Sequence, residues 1–213
     1  MWSLSTVFSP EPLPVIEGET VYLRAPQMRD FPQWRDLREA SRAFLTPWEP
    51  LWPADDLTRG AFRRRLRRYA RDMLSDEAYP LFVFRRSDNT LLGGLTLSNV
   101  RRGVCQAASL GYWMGAPHAG HGYMKAAVTL LLPVAYEVLH LRRIEAACMP
   151  SNEPSIRLLE GCGFVREGYS REYLCINGTW EDHLLFARLR HDPALARPRG
   201  LRRDARERVP PAQ

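Results

Sequence analysis

With 213 residues, 45% of them hydrophobic and 25% charged, the chain can bury one substantial core, and its composition is that of a globular protein rather than a disordered or fibrous one. The formal charge of +6 invites an acidic or nucleic-acid partner, but Lys125 is the one lysine among 30 basic residues, so arginine is partly a compositional habit, and residues 191–213 alone carry +3. The apolar run 126–139 is broken by Thr129, Pro133 and Glu137 and falls short of the ~20 residues of a membrane span.

In chain order, residues 1–16 are rich in Pro and Ser and read as an extension, residues 17–190 as one domain, and residues 191–213 as a basic tail outside the fold. The N-terminus lacks the basic and apolar regions of a secretory signal, so the cytoplasm is the expected address. Thr20–Pro26 reads as a first strand, and Phe31, Trp34, Leu37 and Leu45 recur at near-helical spacing before the aromatic, Pro-punctuated "TPWEPLWP". Residues 57–74 form an amphipathic helix with seven arginines on its polar face, read either as a solvated surface or as a grip on RNA. Three antiparallel strands follow in 79–86, 90–100 and 105–115, then a glycine loop and helix, a strand in 142–150, a short helix in 152–163, and two strands joined by Asn177-Gly178. Cys105, Cys148, Cys162 and Cys175 form no CxxC pair, so reduced, mostly buried thiols are expected, with no metal.

The loop "GAPHAGHGYMKAAVTLL" places Gly120 and Gly122 directly before a helix. A helix start leaves backbone N–H groups without intrahelical partners, and glycines let the chain take positive φ while keeping the amides uncovered. Together with the helix dipole this makes an anion site suited to a pyrophosphate. No Walker lysine follows and the three-glycine dinucleotide spacing is absent, and such a turn read alone is structural more often than ligand-binding.

A second motif narrows the reading. After "LGYWMG", the G-x-G loop, a helix and a strand comes "NEPSIRLLEGCGF", with Asn152 three positions before Ser155 and a closing Gly163-Phe164. This order resembles the GCN5-related N-acetyltransferase (GNAT) superfamily. "FLTPWEP", "LSNVRRG" and "EGYSREYLCINGTWEDHLL" are similar to its RimJ type, which acetylates the N-terminal alanine of a small-subunit ribosomal protein. The resemblance covers roughly residues 18–190. It implies an α/β (α+β) GNAT fold, a mixed, mostly antiparallel sheet of about seven strands flanked by about four helices and splayed between the fourth and fifth strands.

The resemblance also implies roles. Acetyl-CoA is the co-substrate, its pyrophosphate held by Ala119, Gly120, His121, Gly122, Tyr123 and Met124, and its pantetheine arm lying in the splay beside Trp113 and Met114. The Met114 N–H faces the thioester oxygen, and Asn152 binds a pantetheine amide. The tyrosine acid of many relatives is Leu159 here, so Ser155 is the hydroxyl left in that motif to assist the leaving thiolate, or else it serves the helix start. In relatives the basic residue of the fifth strand sits where this chain has Cys148, and Glu145, at an odd offset from it, falls on the opposite face as a structural carboxylate. Glu49 is then the candidate base, or an electrostatic grip on the amine. Trp48, Tyr173, Trp180, Asp182 and His183 are expected to line the peptide groove, with Asp182 and His183 alternatively rim residues that only fix the hairpin. The expected partner is a protein N-terminus, with possible RNA contact through the basic helix and tail. The rival readings are acetylation of a small amine, such as a polyamine or aminoglycoside, and a non-enzymatic ribosome- or RNA-binding factor.

Overall fold

The computed structural model describes residues 13–193, so most of the expected N-terminal extension and of the basic tail lie outside the described residues. One open sheet runs through the molecule. Its strands are β1 (Ile16–Glu17), β2 (Val21–Arg24), β3 (Tyr79–Arg85), β4 (Leu91–Arg101), β5 (Ala107–Met114), β6 (Arg143–Cys148), β7 (Val165–Ile176) and β8 (Thr179–Leu189), in the order β1-β2-β3-β4-β5-β6-β8-β7. All neighbours are antiparallel except β5 and β6. The mixed α/β architecture is the expected one. It has eight strands rather than about seven because Ile16 pairs with Leu23, which carries the sheet edge into the last residue of the expected extension.

The helices are α1 (Phe31–Ala40), α2 (Arg42–Leu45), α3 (Arg59–Leu74), α4 (Tyr123–Pro133) and α5 (Glu153–Gly161). The nearly continuous apolar run of β3 is explained by cover on both faces. Leu81 and Val83 pack with Ala127 and Leu131 of α4 and Leu159 of α5, whereas Phe82 and Phe84 pack with Phe31 and Trp34 of α1 and Phe62 of α3. Such a fully buried side chain contributes about 1.5–3 kcal/mol each. The helix expected to run to Leu45 breaks at Ser41. That residue is fully buried and its Oγ accepts the Ala116 N–H at 2.8 Å, which ties the end of α1 to the loop after β5. Leu37 fills the space beside Gly115, where an added Cβ would lie 2.3 Å from it.

The Thr58 side chain caps α3 by accepting the Ala61 N–H at 3.2 Å. Its arginine face is partly neutralised locally, Arg64 pairing with Asp55 and Arg65 with Asp56. Pro133 brings no N–H to the end of α4, and the chain continues in a wider π turn over Val134–Val138. Asn177 and Gly178, at φ +46° and +87°, close the β7–β8 hairpin. Among the described residues no helix is long and apolar enough to cross a membrane. No group of three or more His, Cys, Asp or Glu among them could hold a metal ion.

Candidate active site

The site begins with a failure of strand pairing. β5 meets β6 only through Ala107–Ser109 against Arg143–Glu145, while on its other edge it stays paired with β4 as far as Met114. The stretch Leu110–Met114 therefore has one unpaired edge. The Gly115 N–H bonds the Leu92 carbonyl of β4 at 2.9 Å. Amide directions alternate along a strand, so the Met114 N–H points away from β4 and into the gap. The Trp113 ring does not enter that gap. It turns to the opposite core, edge-on to Phe82 at 6.4 Å, and lies so close over β4 that a Cβ on Gly94 would be 2.6 Å from its Nε1.

At the mouth of α4, Gly120 and Gly122 both adopt φ +79°, and Gly122 is the helix cap. A Cβ at either would meet nothing within 4 Å, so glycine is required by backbone conformation and access rather than by crowding. Among the described residues, the amides from Gly120 to Lys125 have no acceptor in the protein, and regular bonding resumes with Ala126 N–H to the Gly122 carbonyl at 3.0 Å. A row of bare amides at a positive helix end fits a diphosphate. The His121 Nδ1–H donates to the Ala119 carbonyl at 2.8 Å, and its ring stacks on Tyr123. Burial, with Arg85 and His121 adding to it, pushes the His118 imidazole below its usual value. Met124 offers only its backbone to the loop, since its side chain is buried in the core.

In the splay lies a cleft of about 300 Å³ where Trp48, Asn152 and Ser155 converge. The Asn152 Oδ1 caps α5 by accepting the Ser155 N–H at 3.2 Å, leaving its Nδ2 to donate elsewhere. Ser155 Oγ lies 2.6 Å from the Tyr112 hydroxyl, so this side of the cleft carries two coupled hydroxyls. Tyr112 was missed from sequence. The available signal was its position two residues before Met114, which puts both side chains on one face of β5. Burial pushes the Tyr112 phenol well up, only partly opposed by the Ser155 hydrogen bond, and burial likewise raises the Cys148 thiol. Both stay protonated at neutral pH. Glu145 is tied to Arg143 and Arg101; burial acts to raise its carboxyl, but hydrogen bonds from those two arginines hold it low.

On the other side of the sheet, the structure does not bring Glu49 into the cleft as a free base. Its carboxylate accepts two Arg38 N–H bonds at 2.7 and 2.6 Å and the Trp52 Nε1–H at 2.8 Å, and Arg38 in turn sits 4.0 Å over the Trp52 ring. Its backbone carbonyl accepts the Asn177 N–H at 2.9 Å, joining this loop to the β7–β8 turn. Trp48 and Pro50 thus face Leu174, Ile176 and His183 across the cleft. Tyr173 borders it through an edge contact to His183 at 5.7 Å. Asp182 is engaged away from the cleft. Its carboxylate accepts the Tyr169 hydroxyl and the Glu172 N–H, pinning a bulge of β7 where Glu172 has φ +46°, and these two bonds hold it below the usual carboxylate range. Trp180, 62% exposed, stands on the hairpin outside the cleft. Cys148 and Cys162 are buried as expected, but Cys105 and Cys175 are exposed.

Residues 20–165 match the family model described as the acetyltransferase (GNAT) domain. The chain is 36% identical over 178 residues to the probable N-acetyltransferase YjcK of Bacillus subtilis, covering 84% of this chain and 98% of that protein. It is 34% identical to the [ribosomal protein uS5]-alanine N-acetyltransferase of Escherichia coli, covering 75% and 84%. The structure of Mycobacterium smegmatis RimJ in complex with CoA-disulfide superposes with a TM-score of 0.77 at 32% identity, over 84% of this chain and 86% of that one. A match across most of the folded residues, shared with relatives along nearly their whole length, makes this chain a member of the GNAT family of N-acetyltransferases.

Proposed function

We propose that the protein transfers the acetyl group of acetyl-CoA to the N-terminal α-amine of a protein, with the alanine of a small-subunit ribosomal protein as acceptor. The observation that carries the choice of acceptor is the lining of the cleft. Among the described residues no carboxylate faces it, and its acceptor side is built from Trp48, Pro50, Leu174 and Ile176. A polyamine needs negative charge along its length, whereas a peptide terminus ending in alanine presents a single amine on a small apolar residue. An α-amine, with a pKa of about 7.7–8.0, is also far more often neutral near pH 7 than a lysine at about 10.4. The Escherichia coli relative, an N-acetyltransferase of an alanine of ribosomal protein uS5, points the same way.

Bound acetyl-CoA supplies an acetyl group activated as a thioester. The amides Gly120–Lys125 are the groups to hold its diphosphate, and the Asn152 Nδ2 a pantetheine amide. The Met114 N–H is the donor for the acyl oxygen, an interaction whose loss typically costs about 3 kcal/mol. Ser155 Oγ, backed by the Tyr112 hydroxyl, is the proton donor on the thiol's side. The test is acceptor competition with purified protein, acetyl-CoA, a peptide beginning with alanine, the same peptide blocked at its N-terminus but carrying a lysine, and spermidine. Acetylation of the free N-terminus alone is expected. Transfer to spermidine without transfer to the peptide would overturn the acceptor, as would a cellular N-terminal proteome in which deleting the protein removes no acetyl group.

A further inference from the structure

Acetyl transfer to an ammonium needs a proton acceptor on the amine's side of the sheet, and Glu49 is fully engaged by Arg38 and Trp52. His183 is placed for that task. Successive residues of β8 face opposite sides, and Leu184 and Phe186 pack into the core with α4 and α5, so His183 is directed to the side of Trp48 and Pro50. It is 3% exposed, yet it lines the cleft. Its Nδ1–H donates to the Glu181 carbonyl at 2.9 Å, which fixes the tautomer and makes Nε2 the accepting nitrogen. The edge contact with Tyr173 holds the ring plane. Among the described residues Nε2 has no hydrogen-bond partner, and it is not fully sealed from solvent, so it opens onto the cleft.

We propose that His183 is the general base of the transfer. This rests on the acetyltransferase reading above. The acceptor arrives as R–NH3+. Nε2 takes one proton and passes it to solvent, the amine lone pair forms the N–C bond, and the C–S bond breaks with its electron pair going to sulfur. The second proton lost by nitrogen balances the thiol formed on the Ser155 side, so one proton is released per amide made. The titratable and charged groups around His183 are Tyr173 and Cys175 of β7, Glu181 and Asp182 of β8, Tyr112 of β5 and Cys148 of β6, with Glu49 held by Arg38 in the facing loop. Asp182, the preceding residue of β8, directs its carboxylate away from the cleft, to the Tyr169 hydroxyl and the Glu172 N–H.

Two variants test this. His183→Asn keeps a donor for the Glu181 carbonyl but has no Nε2, and His183→Gln puts an amide that takes no proton in its place. Both are expected to lower kcat about 10-fold at pH 7, because about a tenth of an amine with a pKa of about 8 is already neutral there. The deficit should close as pH rises past the acceptor's own pKa of about 8, where free amine no longer needs a base. Melting temperature and calorimetric affinity for acetyl-CoA should be unchanged. Independently of turnover, 15N NMR of the imidazole in protein without acetyl-CoA should show Nδ1 protonated and Nε2 bare, with an alanine-terminated peptide shifting the Nε2 signal. A deficit equal at all pH values, full activity in both variants, or an Nε2 signal blind to the peptide overturns the proposal. If the wild type acetylates only small amines, the peptide reading falls, while the same pH-dependent deficit measured on those amines still supports His183 as base.

Discussion

Glu49→Gln separates a structural carboxylate from a chemical one. In the wild type the Glu49 carboxylate is held by three donors, two from Arg38 and one from Trp52, and the Arg38 side chain is only 6% exposed. The glutamine has one acceptor oxygen and turns an NH2 toward a guanidinium that has nothing but donors. Removing one partner of a buried ion pair costs about 3–5 kcal/mol. The Glu49 side chain is 19% exposed, which favours the lower end, about 3 kcal/mol. At roughly 2–4 °C per kcal/mol for a domain of this size, the melting temperature should fall by about 6–12 °C in a calorimetric scan. Because the same loop carries Trp48 and bonds Asn177 of the hairpin, the peptide KM should rise while the pH profile of kcat keeps its shape. An unchanged melting temperature together with a roughly 10-fold loss of kcat at pH 7 and a vanished acid limb would refute this reasoning, and would move the base from His183 to Glu49.

Gly122→Val forces a branched residue into φ +79°, at about 1–2 kcal/mol, and lays a side chain over the bare amides, so calorimetric affinity for acetyl-CoA should drop by at least about 10-fold while the far-UV spectrum is kept. Unaltered affinity would remove the loop from the site. Tyr112→Phe leaves Ser155 Oγ without its 2.6 Å partner and should lower kcat more than it raises the KM for acetyl-CoA. The wild-type phenol is raised by burial and so remains protonated through neutral pH, and the variant's basic limb should match the wild type's. The Asp182 carboxyl is held low by Tyr169 and Glu172, so its contribution to the hairpin is complete above the ordinary aspartate value of about 3.9 and is lost as pH falls through the lower folded value. Hydrogen exchange at the Glu172 amide should speed up in that acid window in the wild type, and should show no such transition in Asp182→Asn.

The parts of the molecule that are local in sequence were legible in it. The glycine loop, the Asn152 cap with Ser155 three residues on, and the Asn177-Gly178 turn each need only a few consecutive residues, and the structure holds each as a local backbone feature. What was not legible depends on register between distant segments. Tyr112 reaches Ser155 because β5 leaves β6 after Ser109, a fact about two strands more than thirty residues apart in sequence. Glu49 looks available in a linear string, and only the fold shows that Arg38, eleven residues earlier, consumes it. Asp182 and His183 are neighbours with identical sequence standing, yet the pleat of β8 sends one to a bulge of β7 and the other to the cleft. The division has a chemical consequence. The hydroxyl pair at Ser155 and Tyr112 and the imidazole of His183 line one cleft, the imidazole on the face that carries Trp48 and the hydroxyls on the face of α5. An acyl carbon placed in the splay can therefore be approached by an amine from one face while the thiol leaves by the other. Opening the paired part of β5 and β6 further would merge those faces and admit water to both, so the three residues that pair, Ala107–Ser109, set how far the gap extends.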